Sequence, residues 1–234
     1  MKIFGIIAKI LFISAVPLFL FSFSIGVVVN SKWFYNNGFE KYNISQVTGI
    51  SLSDLDKAAA GLIDYFNNGE EYIDVNLIKD GQPYKLYSED EKQIIHLKDV
   101  KTLFRLDYKV LTGSFVFILT FVVVLLWKKC YRSLGYGMAW GGGLTLLLMV
   151  AMGVGIMSGF DQLFWNFHLL AFSNDFWLLD PSIDVLIMMF PDGFWLDVVI
   201  YVAVLTAVLA VAVGMAGWLI GKTQNSSPRS NNQR

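Results

Sequence analysis

The chain has 234 residues, of which 55% are hydrophobic and only 16% charged, with a formal net charge of −1. With a mean hydropathy of +0.53, that composition excludes an ordinary soluble domain and fits a polytopic membrane protein. The net charge itself says nothing about nucleic acid, but no basic patch interleaved with aromatics occurs and no nucleic-acid partner is expected; the single cysteine, Cys130, excludes an intrachain disulfide.

Lys2 and Lys9 precede or flank an apolar run, as in a signal peptide, but the run over 10–29 is span length and no small-residue cleavage site follows. It reads as a retained anchor. Four stretches are apolar enough to cross a bilayer as helices of about 20 residues: 6–29, 111–127, 134–158 and 194–221. The second is the shortest and is expected to continue a helix that begins outside the membrane. Apolarity is continuous in all of them, without the alternation of a barrel strand. The predicted fold class is an all-α polytopic membrane protein. Four transmembrane helices carry a small α+β extracytoplasmic domain between spans one and two, and interfacial helices between spans three and four.

Lys2 and Lys9 come before the first span, Lys128, Lys129 and Arg132 join the second to the third, and Lys222, Arg229 and Arg234 follow the fourth. These share one side, which the positive-inside rule makes cytoplasmic. The expected order is a cytoplasmic N-terminus with the first span (1–29), then an extracytoplasmic domain (30–110). Spans two and three with their short basic loop (111–158) lead to an extracytoplasmic interfacial segment (159–193). The fourth span (194–221) and a Ser/Asn/Gln-rich, disordered cytoplasmic tail (222–234) complete it.

Within 30–110, Leu52, Leu55, Ala59, Leu62, Ile63 and Phe66 recur at helical spacing over 51–66, and Ser51 with Asp54 forms a capping-box pattern. Residues 72–77 alternate, 79–82 supply a turn and 84–87 return, which predicts a hairpin. Ser88, with Glu91 at the matching position, is expected to cap a helix carrying Ile94, Ile95, Val100, Leu103 and Phe104 into the second span. Glycines at 141–143, 153, 155 and 159, and at 214, 217 and 221, allow close helix approach.

The stretch 160–195 crowds aromatic residues around Asp161, Asp175, Asp180, Asp184, Asp192 and His168, without Lys or Arg. Such a mixture suits the water–lipid boundary, where uncompensated acids are costly enough to need a reason. Asp175 and Asp180 are placed to cap short helices, and Pro181 fits the first turn of a helix over 182–190.

Chemistry converges on the histidines. His96 has Asp99 one turn later, within reach of the imidazole. His168 stands among Trp165, Phe167 and Phe172, with Asn174 and Asp175 soon after. A histidine is the usual general base at neutral pH, and a carboxylate can fix its tautomer. Either could instead be a satisfied interfacial polar residue, and the rings an aromatic belt. Cys130 falls on the opposite side, and no nucleophile elbow, zinc-protease motif or phosphate loop occurs. Metal binding by the two histidines and an aspartate is only weakly signalled by their spacing.

His96-Leu-Lys-Asp99-Val-Lys101 leads into a span. Phe167-His168, Phe172-Ser-Asn174-Asp175-Phe-Trp177, Asp180-Pro181 and Phe190-Pro191 precede the last one. In order, spacing and topology this pattern resembles the bacterial lipoprotein intramolecular transacylases, over nearly the whole chain. The resemblance implies a cytoplasmic-membrane enzyme that moves the sn-2 acyl chain of a diacylglyceryl-cysteine to that cysteine's α-amine, giving a lyso-form lipoprotein. It implies catalytic roles for His96 and His168, diacylglyceryl-modified lipoproteins and membrane lipid as partners, and no cofactor or metal. Such a substrate carries its own nucleophile and ester, so a base, an acid and an oxyanion stabiliser suffice. Asp99 and Asp175 are the expected orienting groups, Asn174 and Lys101 the expected oxyanion or headgroup partners, and Trp165, Phe172 and Trp177 the expected acyl-chain contacts. An outer-leaflet lipid hydrolase or metal-dependent phosphatase, and a non-catalytic sensor or assembly protein, stay open as alternatives.

Overall fold

The structure, a computed structural model, describes residues 2–86 and 91–223. The predicted cap at Ser88, the end of the return strand at Tyr87 and the tail beyond Thr223 lie outside the described residues. In chain order the elements are α1 (Lys2–Val29), α2 (Lys32–Lys41), α3 (Ile44–Thr48), α4 (Leu52–Asn67), β1 (Asn76–Lys79), β2 (Gln82–Lys85), α5 (Glu91–Trp127), α6 (Tyr131–Met157), α7 (Phe160–Ala171), α8 (Val185–Met189) and α9 (Asp192–Thr223). They fall into two compact units, one of residues 1–24, 109–154 and 203–234, the other of residues 25–108 and 155–202.

α1, α5, α6 and α9 are the four helices long and apolar enough to cross a membrane, as the sequence predicts. Exposed Val123, Leu147, Val150 and Val208 on them make sense against lipid and not against water. The protein is a multi-pass membrane protein. α5 has 37 residues and so runs about 55 Å, well beyond the ~30 Å of a hydrocarbon core. Its first half bears Lys92, Lys98, Asp99, Lys101, Arg105, Asp107 and Lys109, and its continuous apolar stretch starts at Leu111. The expected extension of the helix ahead of the second span is therefore present, and it carries the helix's charged residues.

In the first unit Phe12, Val16, Leu20, Leu134 and Ala210 form the buried centre. Lipid tails are as apolar as leucine, so shape and not burial holds these helices together. Phe12 stacks on Phe121 with ring centroids 4.5 Å apart. At Gly142 a Cβ would stand 2.6 Å from the Ala210 carbonyl oxygen and 2.9 Å from the Gly214 Cα, so α6 and α9 touch backbone to backbone there.

The second unit is held differently. Ser51 caps α4 by accepting from the Asp54 N–H at 3.2 Å, while its hydroxyl donates to the Asp54 carboxylate at 2.9 Å. The capping box closes through the hydroxyl instead of the Ser51 backbone. Leu55, Ala59, Leu62 and Phe66 are buried as predicted, but Leu52, at the first position of the helix, is 52% exposed. The hairpin forms with Asn76 opposite Lys85, around Asp80 and Gly81 at φ 52° and 76°. Two successive left-handed residues make the turn that matches strand twist. Its first strand starts at Asn76, not residue 72: Ile73 is buried, but 72–75 form no strand.

Two short helices, α2 and α3, were not expected. α2 buries Phe34, Tyr35, Gly38 and Phe39, and Gly38 is required because a Cβ would meet the Phe194 ring at 2.5 Å. The predicted helix over 182–190 is also cut short. The Ser182 N–H and hydroxyl both donate to Asp180 Oδ1, and the Asp180 N–H donates to Asp184 Oδ2. This side-chain-closed turn takes donors a helix would use, so Asp184, not Asp180, stands at the N-cap position of α8.

Candidate active site

His96 and His168, the chain's two histidines, both lie in the second unit. His96 is on the polar first half of α5 and His168 on α7. Their ring centroids are 6.1 Å apart, with the rings inclined by 31°. One turn before His96, buried Gln93 fastens α5 to the α8 segment. Its Oε1 accepts from the Leu186 N–H at 2.8 Å and its Nε2 donates to Asp184 Oδ1 at 3.4 Å.

His168 is buried, and its Nδ1 lies 2.8 Å from the Phe164 carbonyl oxygen, one turn back. A carbonyl only accepts, so Nδ1 carries the hydrogen and Nε2 of the neutral ring keeps its lone pair. Aromatic rings enclose it, with Phe164 at 4.4 Å, Trp177 at 4.9 Å and Phe172 at 5.5 Å between centroids. His96 meets Phe172 edge-on at 5.0 Å, and its ring has no hydrogen-bond partner among the described residues.

Burial pushes the His96 pKa down to about 4; positive charge on His168 acts in the same direction and the Asp99 carboxylate against it. Burial also lowers the His168 pKa, opposed by the Phe164 carbonyl and by Asp192. Both rings are therefore neutral at pH 7, and charging one makes charging the other harder.

Asn174 Nδ2 donates to Asp99 Oδ2 at 2.8 Å, while Asn174 Oδ1 accepts from the Phe176 N–H at 3.1 Å. The segment after α7 is thus tied to α5 one turn beyond His96. Asp99 acts on His96 through its charge and spends this hydrogen bond on Asn174. Asn174, not Asp175, is the residue that caps the turn here.

Residues 10–195 match the profile of the lipoprotein intramolecular transacylase family, Lit. The chain belongs to this family. The solved structure of the membrane-integral lipoprotein intramolecular transacylase Lit from Bacillus cereus superposes with a TM-score of 0.82 at 21% identity, covering 97% of this chain and 100% of that one. A variant of the same Bacillus cereus protein with one histidine replaced by arginine superposes at 0.76 and 20% identity, covering 95% of this chain and 94% of its own. The variant with alanine also gives 0.76 at 20% identity, over 94% and 95% of the two chains. These likenesses establish the fold. An uncharacterized protein from Aquifex aeolicus is 27% identical over 135 residues, a match spanning 56% of this chain and 57% of that relative.

In this Lit family member, not every residue singled out from the sequence reaches the histidines. Trp177 and Phe172 do, and Trp165 joins through Trp177, at 4.8 Å edge-on. Asp175 is exposed and exerts no resolved influence on either ring. Lys101 is turned elsewhere: it is 3% exposed, with Nζ donating to Asn68 Oδ1 at 3.0 Å and to the Glu70 carbonyl at 2.6 Å, and lying 3.9 Å from the Tyr65 ring centroid. Sequence reasoning passed over Phe164, Gln93 and Asp192 as site residues. Phe164 had a signal, since it lies one turn before His168; the other two are brought in only by tertiary contacts.

Proposed function

We propose that the chain carries out the family's reaction on bacterial lipoproteins, with His96 and His168 moving the protons. The observation that carries this reading is the approach of two neutral, enclosed imidazoles from helices far apart in sequence. The substrate is a diacylglyceryl-cysteine whose α-amine and sn-2 ester belong to one molecule. Holding them together can supply several powers of ten in rate. One ring takes the ammonium proton, freeing the nitrogen lone pair to attack the ester carbonyl carbon. A tetrahedral adduct forms, the bond to the glyceryl oxygen breaks, and that oxygen receives the proton leaving the attacking nitrogen. The products are an amide on the cysteine and a free hydroxyl on glycerol.

His168, with Nδ1 committed to the Phe164 carbonyl, presents Nε2 as a base or, once protonated, as an acid. Asp99 favours the charged form of His96 and so stabilises a proton there in mid-reaction. Trp165, Phe172 and Trp177 offer the acyl chains an apolar surface. Asn174 holds Asp99 in position through one of its two Nδ2 hydrogens, and the other is the candidate donor to the oxyanion. By the positive-inside rule, both termini are cytoplasmic and the histidines face the extracytoplasmic side, where lipid-anchored substrate resides.

Replacing His96 or His168 by Ala should slow formation of lyso-form lipoprotein by about 10²–10⁴-fold. Mass spectrometry of a lipoprotein N-terminal peptide, from a host without other N-acylating enzymes, reads this directly. Wild-type rate in either variant removes that histidine from the mechanism.

A further inference from the structure

Every Asp and Glu of the chain lies between residues 40 and 197, and all those among the described residues fall in the second compact unit. The first unit therefore has no Asp or Glu, although it carries Lys9, Lys109, Lys128, Lys129, Arg132 and Lys222 among its described residues. Basic residues flanking spans are ordinary in membrane proteins, so their sign alone points to nothing. Their convergence does. Lys9 from α1 and Arg132 from α6 line a single cavity of about 550 Å³, walled also by Phe12, Phe121, Tyr136 and Trp140. The Arg132 guanidinium lies 5.6 Å from the Tyr136 ring centroid, and neither cation makes an ion pair among the described residues. Ser133 faces the same cavity with its Oγ buried and without a hydrogen-bond partner.

We propose that this cavity binds the headgroup of an anionic glycerophospholipid. Its phosphate sits between the Lys9 ammonium and the Arg132 guanidinium and accepts a hydrogen bond from Ser133 Oγ, and the start of an acyl chain lies along the exposed rings of Tyr136 and Trp140. Each part meets a stated need. Two exposed cations with no Asp or Glu in their unit are free to take an external anion, and a buried hydroxyl is costly until it finds an acceptor. Basic pockets between transmembrane helices are the usual receptors for acidic lipid headgroups, and Trp and Tyr belong at headgroup depth. The volume is that of a ligand pocket, enough for a headgroup and the upper part of one chain. Inorganic phosphate would meet the cations but leave the exposed rings of Tyr136 and Trp140 without an apolar partner. The cavity shares no residue with the histidine pair.

The test is native mass spectrometry of the purified full chain, titrated in detergent with phosphatidylglycerol, phosphatidylcholine or inorganic phosphate. The wild-type chain should retain phosphatidylglycerol at least about fivefold more tightly than phosphatidylcholine, and Lys9→Gln or Arg132→Gln should each weaken it about fivefold. Lys222→Gln, which removes a cation of the same unit outside the cavity, should leave binding unchanged. Equal retention of the two lipids by the wild-type chain overturns the proposal without any variant. So does a Lys222→Gln loss as large as that of Arg132→Gln, which would mean diffuse charge. Displacement of phosphatidylglycerol by millimolar inorganic phosphate would make this a free-anion site and overturn the lipid assignment.

Discussion

The two compact units are held together by different forces. In the first, α6 and α9 meet where glycines remove every side-chain atom, and phenylalanine rings fill what is left. In the second, side chains bond across long stretches of sequence: Asn174 to Asp99, Gln93 to Asp184 and Leu186, Lys101 to Asn68 and Glu70, Lys41 to Asp197. One unit is specified by volume and the other by donors and acceptors. The first should therefore fail when atoms are added, and the second when polar atoms are removed. Both histidines lie in the second.

The largest expected effect on stability is in the first unit. Gly142→Leu places a side chain where even a Cβ meets the Ala210 carbonyl at 2.6 Å. It should cost about 3 kcal/mol, the upper part of the range for overpacking. Thermal unfolding in detergent reads it, and a variant as stable as wild type would mean that α6 and α9 do not touch there. Lys101→Met should come next, at about 2 kcal/mol, since it removes hydrogen bonds from a buried ammonium to Asn68 and Glu70. Its rate of acyl transfer should stay within about twofold of wild type at a temperature where it is folded. A large loss of rate without loss of stability would return Lys101 to the reacting atoms.

Asn174→Ala sharpens the contrast within the second unit. In the proposed mechanism Asn174 positions Asp99, and it is bonded to that carboxylate and to the Phe176 N–H. Loss of one charge-assisted bond is worth about a tenfold fall in kcat/KM. A merely structural role would leave the pH dependence of the rate unmoved. Here, freeing the Asp99 carboxylate should shift the acid limb of the profile, because that carboxylate favours charge on His96. An unshifted limb would confine Asn174 to holding the segment after α7 in place.

The spans were legible because long apolar runs have one stable form in a bilayer, and the histidine pair because its residues are chemically distinctive. Two things could not be read. α2 contains Asn36, Asn37 and Gly38 in mid-helix, residues that locally favour a turn. It exists because Phe34 and Phe39 are buried and Phe194 lies where the Gly38 side chain would be. The destinations of side chains were equally hidden. Spacing suggests Asp99 as an orienting group and Asn174 as an oxyanion or headgroup partner, yet the two are bonded to each other. Lys101, only a few residues beyond His96, is drawn to Asn68 and Glu70. Nothing in local spacing distinguishes Asp175, which stays exposed, from Asp192, whose charge acts on His168.

The smallest expected effect tests the chemistry of the pair most closely. Burial lowers both imidazole pKa values, that of His96 to about 4. The neutral rings favour the folded state fully above their unfolded pKa of about 6.5, and this contribution is lost as pH falls through the folded values. For catalysis, the reactive state pairs a neutral imidazole with an ammonium substrate whose α-amine has a pKa of roughly 7.7–8. The product of those two fractions is nearly constant between the imidazole and amine values. With His96 as the base, kcat/KM should thus change by less than about twofold between pH 5.5 and 7. An ordinary exposed histidine would instead give a limb near pH 6.5, and an enzyme that waits for free amine would lose about tenfold per pH unit throughout that window. Either profile would mean that His96 is not the neutral, enclosed base that takes the substrate's proton.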